Sequence, residues 1–197
     1  MQSKIGCLLK GKSGEIYAEL LGGVSDYPEP HQFISDAYSA YESSFLSKPS
    51  INGRIFEFLI CECLAREGVM PFYHQANFER VPNANFDIVL YHRTKPVALS
   101  CKTSLRERYK QADLEGAALK QVYRSAKCYL LTLDHNESRS VQRKIQEGAV
   151  AGLDGCIDAD TQNFTKLLGE LGKNVFTEGK KILPVTGTFV NSGSDGC

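Results

Sequence analysis

The sequence predicts an α/β protein whose mixed central sheet is flanked by helices. Three short apolar runs, at 71–78, 86–92 and 97–102, follow one another with only turn-length links between them. Strands joined in this way pair antiparallel. A segment with helical spacing, at about 105–125, then leads to the apolar run CYLLTLD at 128–134. A helix of that length can carry the chain back across the sheet, so the fourth strand should pair in parallel.

The segments outside these strands are mostly helical in pattern. Residues 31–46 and 51–67 place apolar side chains three and four positions apart, which is typical of helices that bury one face. Residues 1–30 are interrupted by Gly and Pro and give no clear pattern. The remaining predictions are a helix at 138–152 capped by Ser138 or Ser140, a core strand at 156–160, a helix at 164–171 and an edge strand at 182–190.

The predicted organisation is a single domain over residues 1–197. It has four parts: a helical N-terminal part (1–50), a core (51–160), a C-terminal helix and edge strand (161–190), and a tail (191–197). A chain of this length is long enough to bury a substantial core.

The charge of the chain is balanced overall but uneven locally. The formal net charge is +0, and 23% of the residues are charged, so the whole-chain charge gives no argument for a polyanionic partner. Residues 102–127, however, hold seven Lys or Arg against three Asp or Glu. A local excess of this kind can attract nucleic acid.

The cysteines indicate a reducing compartment. There are seven, and no two are spaced C-x-x-C, which argues against a disulfide framework and against a zinc site of ordinary spacing. The N-terminus lacks the apolar stretch of a signal peptide, and no run of 18 apolar residues is present. We therefore expect a cytoplasmic protein that does not associate with a membrane.

The residues that suggest chemistry lie at the ends of two neighbouring predicted strands. Asp87 lies near the start of one strand and Lys102 ends the next, so hairpin pairing can bring them to one edge of the sheet. Burying a carboxylate and an ammonium is costly, and a hard divalent cation such as Mg²⁺ gives a reason for it. Glu115, thirteen residues after Lys102 on the following helix, can supply a second carboxylate if that helix packs back over the strand ends.

The pattern Asp87, Ser100-Cys101-Lys102 and Glu115 resembles the PD-(D/E)XK nucleases. It is most similar to their branch of type II restriction endonucleases with a migrated catalytic glutamate, related to SsoII, EcoRII, PspGI and NgoMIV. Ser100 takes the older acid position of that signature. The likeness extends through 51–134 and implies a restriction-endonuclease-like core.

A second element carries the same resemblance. The run KTSLRER at 102–108 is similar to the K-x-x-x-(R/K)-(E/D)-R element of that branch. The proline of the PD form is replaced by Phe86, as happens elsewhere in the superfamily.

The resemblance implies a role for each site residue. Asp87 and Glu115 would ligate Mg²⁺ together with the backbone carbonyl of Cys101. Lys102 would stabilise the phosphate in the transition state or orient the attacking water. Glu57, on the helix before the strands, would support metal binding as a further catalytic residue.

The resemblance also implies how DNA is read. Arg106, Glu107 and Arg108 would enter the major groove, where Arg matches guanine O6 and N7 and Glu accepts from cytosine N4. Lys110 and Ser104 would contact phosphate. The implied function is Mg²⁺-dependent cleavage of double-stranded DNA by a homodimer at a site such as CCGG, CCNGG or CCWGG.

Other interpretations of the same residues stay open. The chain could be a structure-selective repair or junction nuclease, or a DNA-binding protein with an inactive site on this fold. The Arg-Glu-Arg run could be a solvated, self-paired surface. Cys101 could be a nucleophile with His74 or His92 as its base, although nothing in the neighbouring sequence marks either histidine for that role.

Overall fold

The protein is an α/β protein with a six-stranded mixed sheet flanked by helices, as predicted. A computed structural model describes residues 1–46, 48–179 and 185–191. The described chain divides into two compact units. We call them the helical unit, which comprises Met1–Met70, Ala159–Asn174 and Asn191, and the sheet unit, which comprises Pro71–Asp158 and the described part of Val175–Val190. Each unit is described by itself.

The helical unit contains four α-helices and a short 3₁₀ turn at Gly6–Leu8. Its helices are α1 (Gly11–Gly23), α2 (Pro30–Ser44), α3 (Pro49–Arg66) and α6 (Gln162–Leu171). Pro30 and Pro49 occupy the first turns of α2 and α3, where a missing N–H costs nothing and the fixed φ favours a helix. The predictions of α2, α3 and α6 are confirmed, whereas α1 was not predicted.

The sheet unit contains all six strands. They are β1 (Phe72–Phe78), β2 (Phe86–Leu90), β3 (Val97–Lys102), β4 (Lys127–Thr132), β5 (Gly155–Asp158) and β6 (Val185–Val190). The strand order is β5-β4-β3-β2-β1-β6. The predicted pairing is confirmed, because β1, β2 and β3 are antiparallel while β3 and β4 are parallel.

The two ends of the sheet differ from their predictions in detail. β5 was predicted as a core strand, but it lies at one edge, parallel to β4. β6 forms the other edge, as predicted, and pairs antiparallel with β1. Part of the predicted strand (182–184) and most of the predicted tail (192–197) lie outside the described residues.

Helices α4 (Arg108–Val122) and α5 (His135–Gln146) belong to the sheet unit. The start of α4 was predicted at about 105, but Leu105 is fully buried and a turn precedes the helix. The predicted caps Ser138 and Ser140 are wrong, because Asp134 caps α5 by accepting the Glu137 N–H at 3.1 Å. The predicted helix at 138–152 therefore starts three residues after the observed start of α5 and ends six residues after its observed end.

The central strands of the sheet unit are buried, and α4 packs closely against the backbone at Gly152. Every residue of β2 is buried, as are the residues of β3 up to Cys101, which is typical of strands covered on both faces. A Cβ on Gly116 would lie 2.5 Å from the carbonyl oxygen of Gly152, so α4 needs a glycine there. Asp113 fixes this contact by accepting the Gly152 N–H at 2.6 Å. The position of α4 over the sheet is thus set by backbone contact.

Candidate active site

The β2–β3 hairpin brings Asp87 and Lys102 into direct contact. Ile88 pairs with Leu99, which places Asp87 beside the last residues of β3. Asp87 Oδ2 accepts the Cys101 N–H at 2.7 Å and a hydrogen bond from Lys102 Nζ at 2.8 Å. The two charged side chains are 12% and 21% exposed, so this ion pair is largely withdrawn from water.

Glu115 lies on α4, half-buried, within electrostatic range of the same pair. Burial raises the pKa of the Glu115 carboxyl, and the Asp87 charge raises it further. The hydrogen bond that Gln111 Nε2 donates to Glu115 Oε1 at 2.9 Å opposes this rise in pKa, as do the Lys102 charge and the Asn85 N–H. The pKa of Glu115 therefore responds to both charged residues of the hairpin. Glu115 thus lies near the Asp87–Lys102 pair in the sheet unit.

Sequence reasoning missed two amide side chains at this site, Gln75 and Asn85. Gln75 Nε2 lies 3.5 Å from Asp87 Oδ1, and Asn85 Nδ2 donates to Gln75 Oε1 at 3.3 Å. The Asn85 backbone also donates to the Glu115 carboxyl. These contacts link the two carboxylates through two neutral amides.

A β-bulge in β1 produces this arrangement. The register between β1 and β6 shifts between His74 and Asn77, and Gln75 has a φ of 52°. Bulges re-aim side chains and are common beside active sites. The one sequence signal was Gly187 in β6, because an isolated glycine in a strand often marks a bulge. A Cβ on Gly187 would lie 2.8 Å from the His74 carbonyl oxygen.

Glu57 lies on α3 in the helical unit and is buried. Its carboxylate accepts a hydrogen bond from Arg54 Nη1 at 2.9 Å, one turn earlier on the same helix. The Glu57 charge is therefore paired within its own helix. Its predicted support of metal binding stays a prediction.

The Arg-Glu-Arg run lies at the surface of the sheet unit. Arg106 and Glu107 belong to the turn before α4, Arg108 is the first residue of α4, and all three are exposed. Glu107 pairs with Lys110, whose hydrogen bond lowers the pKa of the Glu107 carboxyl. Ser104 is half-buried. The acid of this run is therefore paired within its own helical turn.

A cleft of about 330 Å³ opens beside this run. Arg106 and Glu107 line it together with residues of α5. Lys144 of α5 donates a hydrogen bond to Tyr109 Oη at 2.9 Å and lies 4.6 Å from the ring centre. The other residues that line the cleft are Glu137, Ser140 and Val141.

The cysteine interpretation gains little from the structure. Cys101 is a buried thiol on β3 and is not part of a disulfide. His92 lies in the turn between β2 and β3, where its Nδ1 accepts the N–H groups of Thr94 and Lys95 at 3.2 and 3.1 Å. That turn is at the opposite end of the hairpin from Cys101. His74 is buried on β1.

The donor atoms at the site suit a hard cation. In the described part of the chain, no three His, Cys, Asp or Glu side chains are grouped to hold a metal ion. The site offers two carboxylates, Asp87 and Glu115, with amide and backbone oxygens close by. Oxygen ligands of this kind, completed by water and substrate phosphate, match the usual coordination of Mg²⁺.

No known family model matches this chain, and no curated protein is similar to it in sequence. The described residues also include no helix long and apolar enough to cross a membrane.

Proposed function

We propose that this protein is a Mg²⁺-dependent endonuclease that cleaves double-stranded DNA at a short site containing CC and GG, such as CCGG, CCNGG or CCWGG. The observation that carries the proposal is the contact of Lys102 Nζ with Asp87 Oδ2 at 2.8 Å, in a largely buried position where the Glu115 carboxyl senses both charges. A buried ion pair contributes little net stability, and this one lies near a second carboxylate that responds to both of its charges, which favours a chemical role.

Each residue of the site has a part in hydrolysis. Asp87 and Glu115 would hold Mg²⁺, which when bound neutralises phosphate charge and makes water more acidic. The Cys101 carbonyl would be a further ligand. The Cys101 N–H and Lys102 fix the orientation of Asp87, because both donate to the same oxygen.

Lys102 contributes a positive charge where negative charge develops. As water adds to phosphorus and the bond from phosphorus to the 3′ oxygen breaks, charge increases on the phosphate oxygens. An ammonium fixed in a weakly solvated site stabilises that charge without reorganising. The products would be a 5′-phosphate and a 3′-hydroxyl end.

Recognition of the site would come from the turn before α4. Arg106 and Arg108 are exposed and can reach guanine edges in the major groove. On binding DNA, Glu107 would break its ion pair with Lys110 and accept a hydrogen bond from cytosine N4. Lys110 and Ser104 would then contact phosphate. A homodimer with two-fold symmetry would match a palindromic site. As a restriction enzyme, the protein would act in the cytoplasm of a bacterium or archaeon.

The test is digestion of phage DNA with Mg²⁺, followed by sequencing of the fragment ends. Fixed fragments that share a CC/GG site would support the proposal, and Lys102→Gln should abolish them while DNA binding survives. Lys95→Gln is the matched control, since Lys95 is exposed in the turn at the other end of the same hairpin. Cutting of branched DNA alone would favour a junction nuclease. A chain that binds duplexes and leaves all of them uncut would overturn the nuclease assignment.

A further inference from the structure

Two carboxylates leave a divalent cation with few protein ligands, and the bulged Gln75 is the side chain best placed to add one. We propose that Gln75 is a third side-chain ligand of the cation, through its amide oxygen. This inference rests on the proposed function, because it concerns the cation that Asp87 and Glu115 would hold. It assigns chemistry to a residue outside the nuclease motif.

The separation between the two side chains supports this assignment. Two adjacent ligands of an octahedral Mg²⁺, each about 2.1 Å from the ion, lie about 3 Å from one another. The Gln75 amide nitrogen lies 3.5 Å from Asp87 Oδ1, so a small closure brings a Gln75 atom to the ligand spacing. This contact is long for a hydrogen bond.

A rotation of the amide exchanges donor for acceptor. The nitrogen and oxygen of a Gln side chain occupy nearly equivalent positions, so a half-turn about its last bond directs Oε1 towards the site. In the arrangement described, Nε2 donates towards Asp87, which suits a carboxylate without a cation. With a cation present the oxygen is favoured instead, since both oxygens then face positive charge.

Asn85 allows this rotation without losing a hydrogen bond. Asn85 Nδ2 donates to Gln75 Oε1 at 3.3 Å. If both amides rotate, Gln75 Nε2 donates to Asn85 Oδ1 and the bond persists with its direction reversed. The Asn85 backbone remains bonded to Glu115. The network therefore has two equivalent arrangements, one for the empty site and one for the loaded site.

The backbone at Gln75 also indicates a functional role. A φ of 52° is unusual for glutamine, and such conformations persist where the surrounding structure imposes them. The pairs His74 with Ile88 and Ala76 with Phe86 place Gln75 opposite Asp87. The bulge in β1 lies at this position and needs Gly187 across from it on β6. A strained residue therefore presents its side chain to the central carboxylate.

Direct measurement of Mn²⁺ binding, by electron paramagnetic resonance of the free ion, tests the proposal without DNA. Gln75→Gly removes the amide and tolerates the positive φ, so we expect Mn²⁺ to bind at least tenfold more weakly. The matched control is Asn83→Gly, at an exposed residue with a φ of 63°, and its affinity should equal that of the original chain. Circular dichroism of each variant verifies folding.

A charge-adding pair of variants separates ligation from simple electrostatics. Gln75→Glu should tighten Mn²⁺ binding by tenfold or more, whereas Asn85→Asp adds the same charge beside the site and should tighten it less. Equal gains from the two variants would overturn the assignment. So would a Gln75→Gly affinity within twofold of the original, or an original chain that binds no Mn²⁺.

The outcome is independent of nuclease activity. If Mn²⁺ binds, weakens with Gln75→Gly and tightens with Gln75→Glu, but no DNA is cut, then the ligand assignment stands and the proposed function fails. If DNA is cut at a CC/GG site and Gln75→Gly binds Mn²⁺ normally, the proposed function stands and Gln75 is not a ligand.

Discussion

Two buried carboxylates, Glu62 in the helical unit and Asp87 in the sheet unit, are held in contrasting ways. Glu62 is 0% exposed. Its oxygens accept from Ser3 Oγ at 2.9 Å, from the Lys4 N–H at 3.1 Å and from Arg66 at 2.7 Å. These donors come from the N-terminal segment and from α3, so Glu62 ties the start of the chain to a helix.

The short hydrogen bonds of Asp87 that bind it to the hairpin converge on one oxygen. Its Oδ2 takes both short hydrogen bonds, whereas Oδ1 faces an amide at 3.5 Å. A second carboxylate, Glu115, and the strained residue Gln75 lie near Asp87. A buried acid with short hydrogen bonds to both oxygens is typical of a structural role. An acid that has a long contact with an amide and lies near a second acid is a better candidate to bind a positive ligand.

The largest expected difference between the two acids is in activity. Asp87→Asn should lower the cleavage rate by about 10² to 10³-fold or more, the size found when one charge-stabilising group of an active site is removed. The free energy of unfolding should also fall, since Lys102 loses its charge partner, but by less than at Glu62, because both side chains of this pair keep some exposure to water and asparagine keeps an oxygen for the Cys101 N–H. Single-turnover cleavage and urea unfolding measure the two quantities. A variant that cuts normally would break the comparison.

The reverse pattern is expected at Glu62. Glu62→Gln should lower the free energy of unfolding by about 3 kcal/mol, since it leaves the charge of Arg66 without its buried partner. Cleavage per folded molecule should not change. Urea unfolding followed by circular dichroism measures the loss, and Glu67→Gln, at an exposed acid on the same segment, is the control. A loss no larger than the control's would show that Glu62 is not a structural anchor.

A smaller effect is expected at the exposed arginines. Arg108→Ala should weaken binding to a CC/GG duplex by about 1–3 kcal/mol, the cost of one bidentate base contact, with stability changed by about 0.5 kcal/mol or less. Fluorescence anisotropy with Ca²⁺ in place of Mg²⁺ measures binding without cleavage. Arg139→Ala, at an exposed residue of α5, should leave the preference for the site intact. Equal weakening on all duplexes would assign Arg108 to phosphate.

The smallest effect is a pH dependence at Glu115. Because its folded-state pKa lies above the usual value, the folded chain binds this proton more tightly than the unfolded chain. The contribution of Glu115 to stability therefore decreases as pH rises from the ordinary pKa of a glutamate through the raised one. Glu115→Gln should remove this slope. Urea unfolding across that pH range measures it, and an unchanged slope would contradict the raised pKa.

Cation binding should show the opposite pH trend. The Glu115 carboxyl must be ionised to bind Mn²⁺, so affinity should fall as pH decreases through its raised pKa. This loss should begin at a higher pH than an ordinary glutamate would give. Mn²⁺ titrations at a series of pH values provide the measurement.

The strands of the site were predictable because their signal is local. The predicted bounds of β3 were confirmed at both ends, since its apolar run is continuous and ends at a charge. Pairing then followed from the short links. Helix α1 was missed because four of its thirteen residues are glycines, which weaken a helical pattern.

Gln75 and Asn85 could not be found in this way. A bulge depends on how β1 meets both of its neighbours, and no spacing within β1 records it. The pairing of Glu107 with Lys110 could not be predicted for a similar reason. The same residues are compatible with a turn that contacts DNA bases and with a surface whose charges pair with one another. Sequence periodicity identifies the strands and the short links indicate how they pair. The orientation of a single side chain depends on contacts between segments that are distant in the sequence.

The register of the β2–β3 hairpin has a consequence for the link that joins its strands. Ile88 pairs with Leu99 across residues 91–96, and this ladder decides which face Lys102 shares with Asp87. A slip by one residue turns a strand's side chains over. Substitutions in the link should therefore be tolerated, but inserting a single residue there would separate the lysine from its carboxylate. The length of this link, more than its chemistry, then decides whether Lys102 meets Asp87.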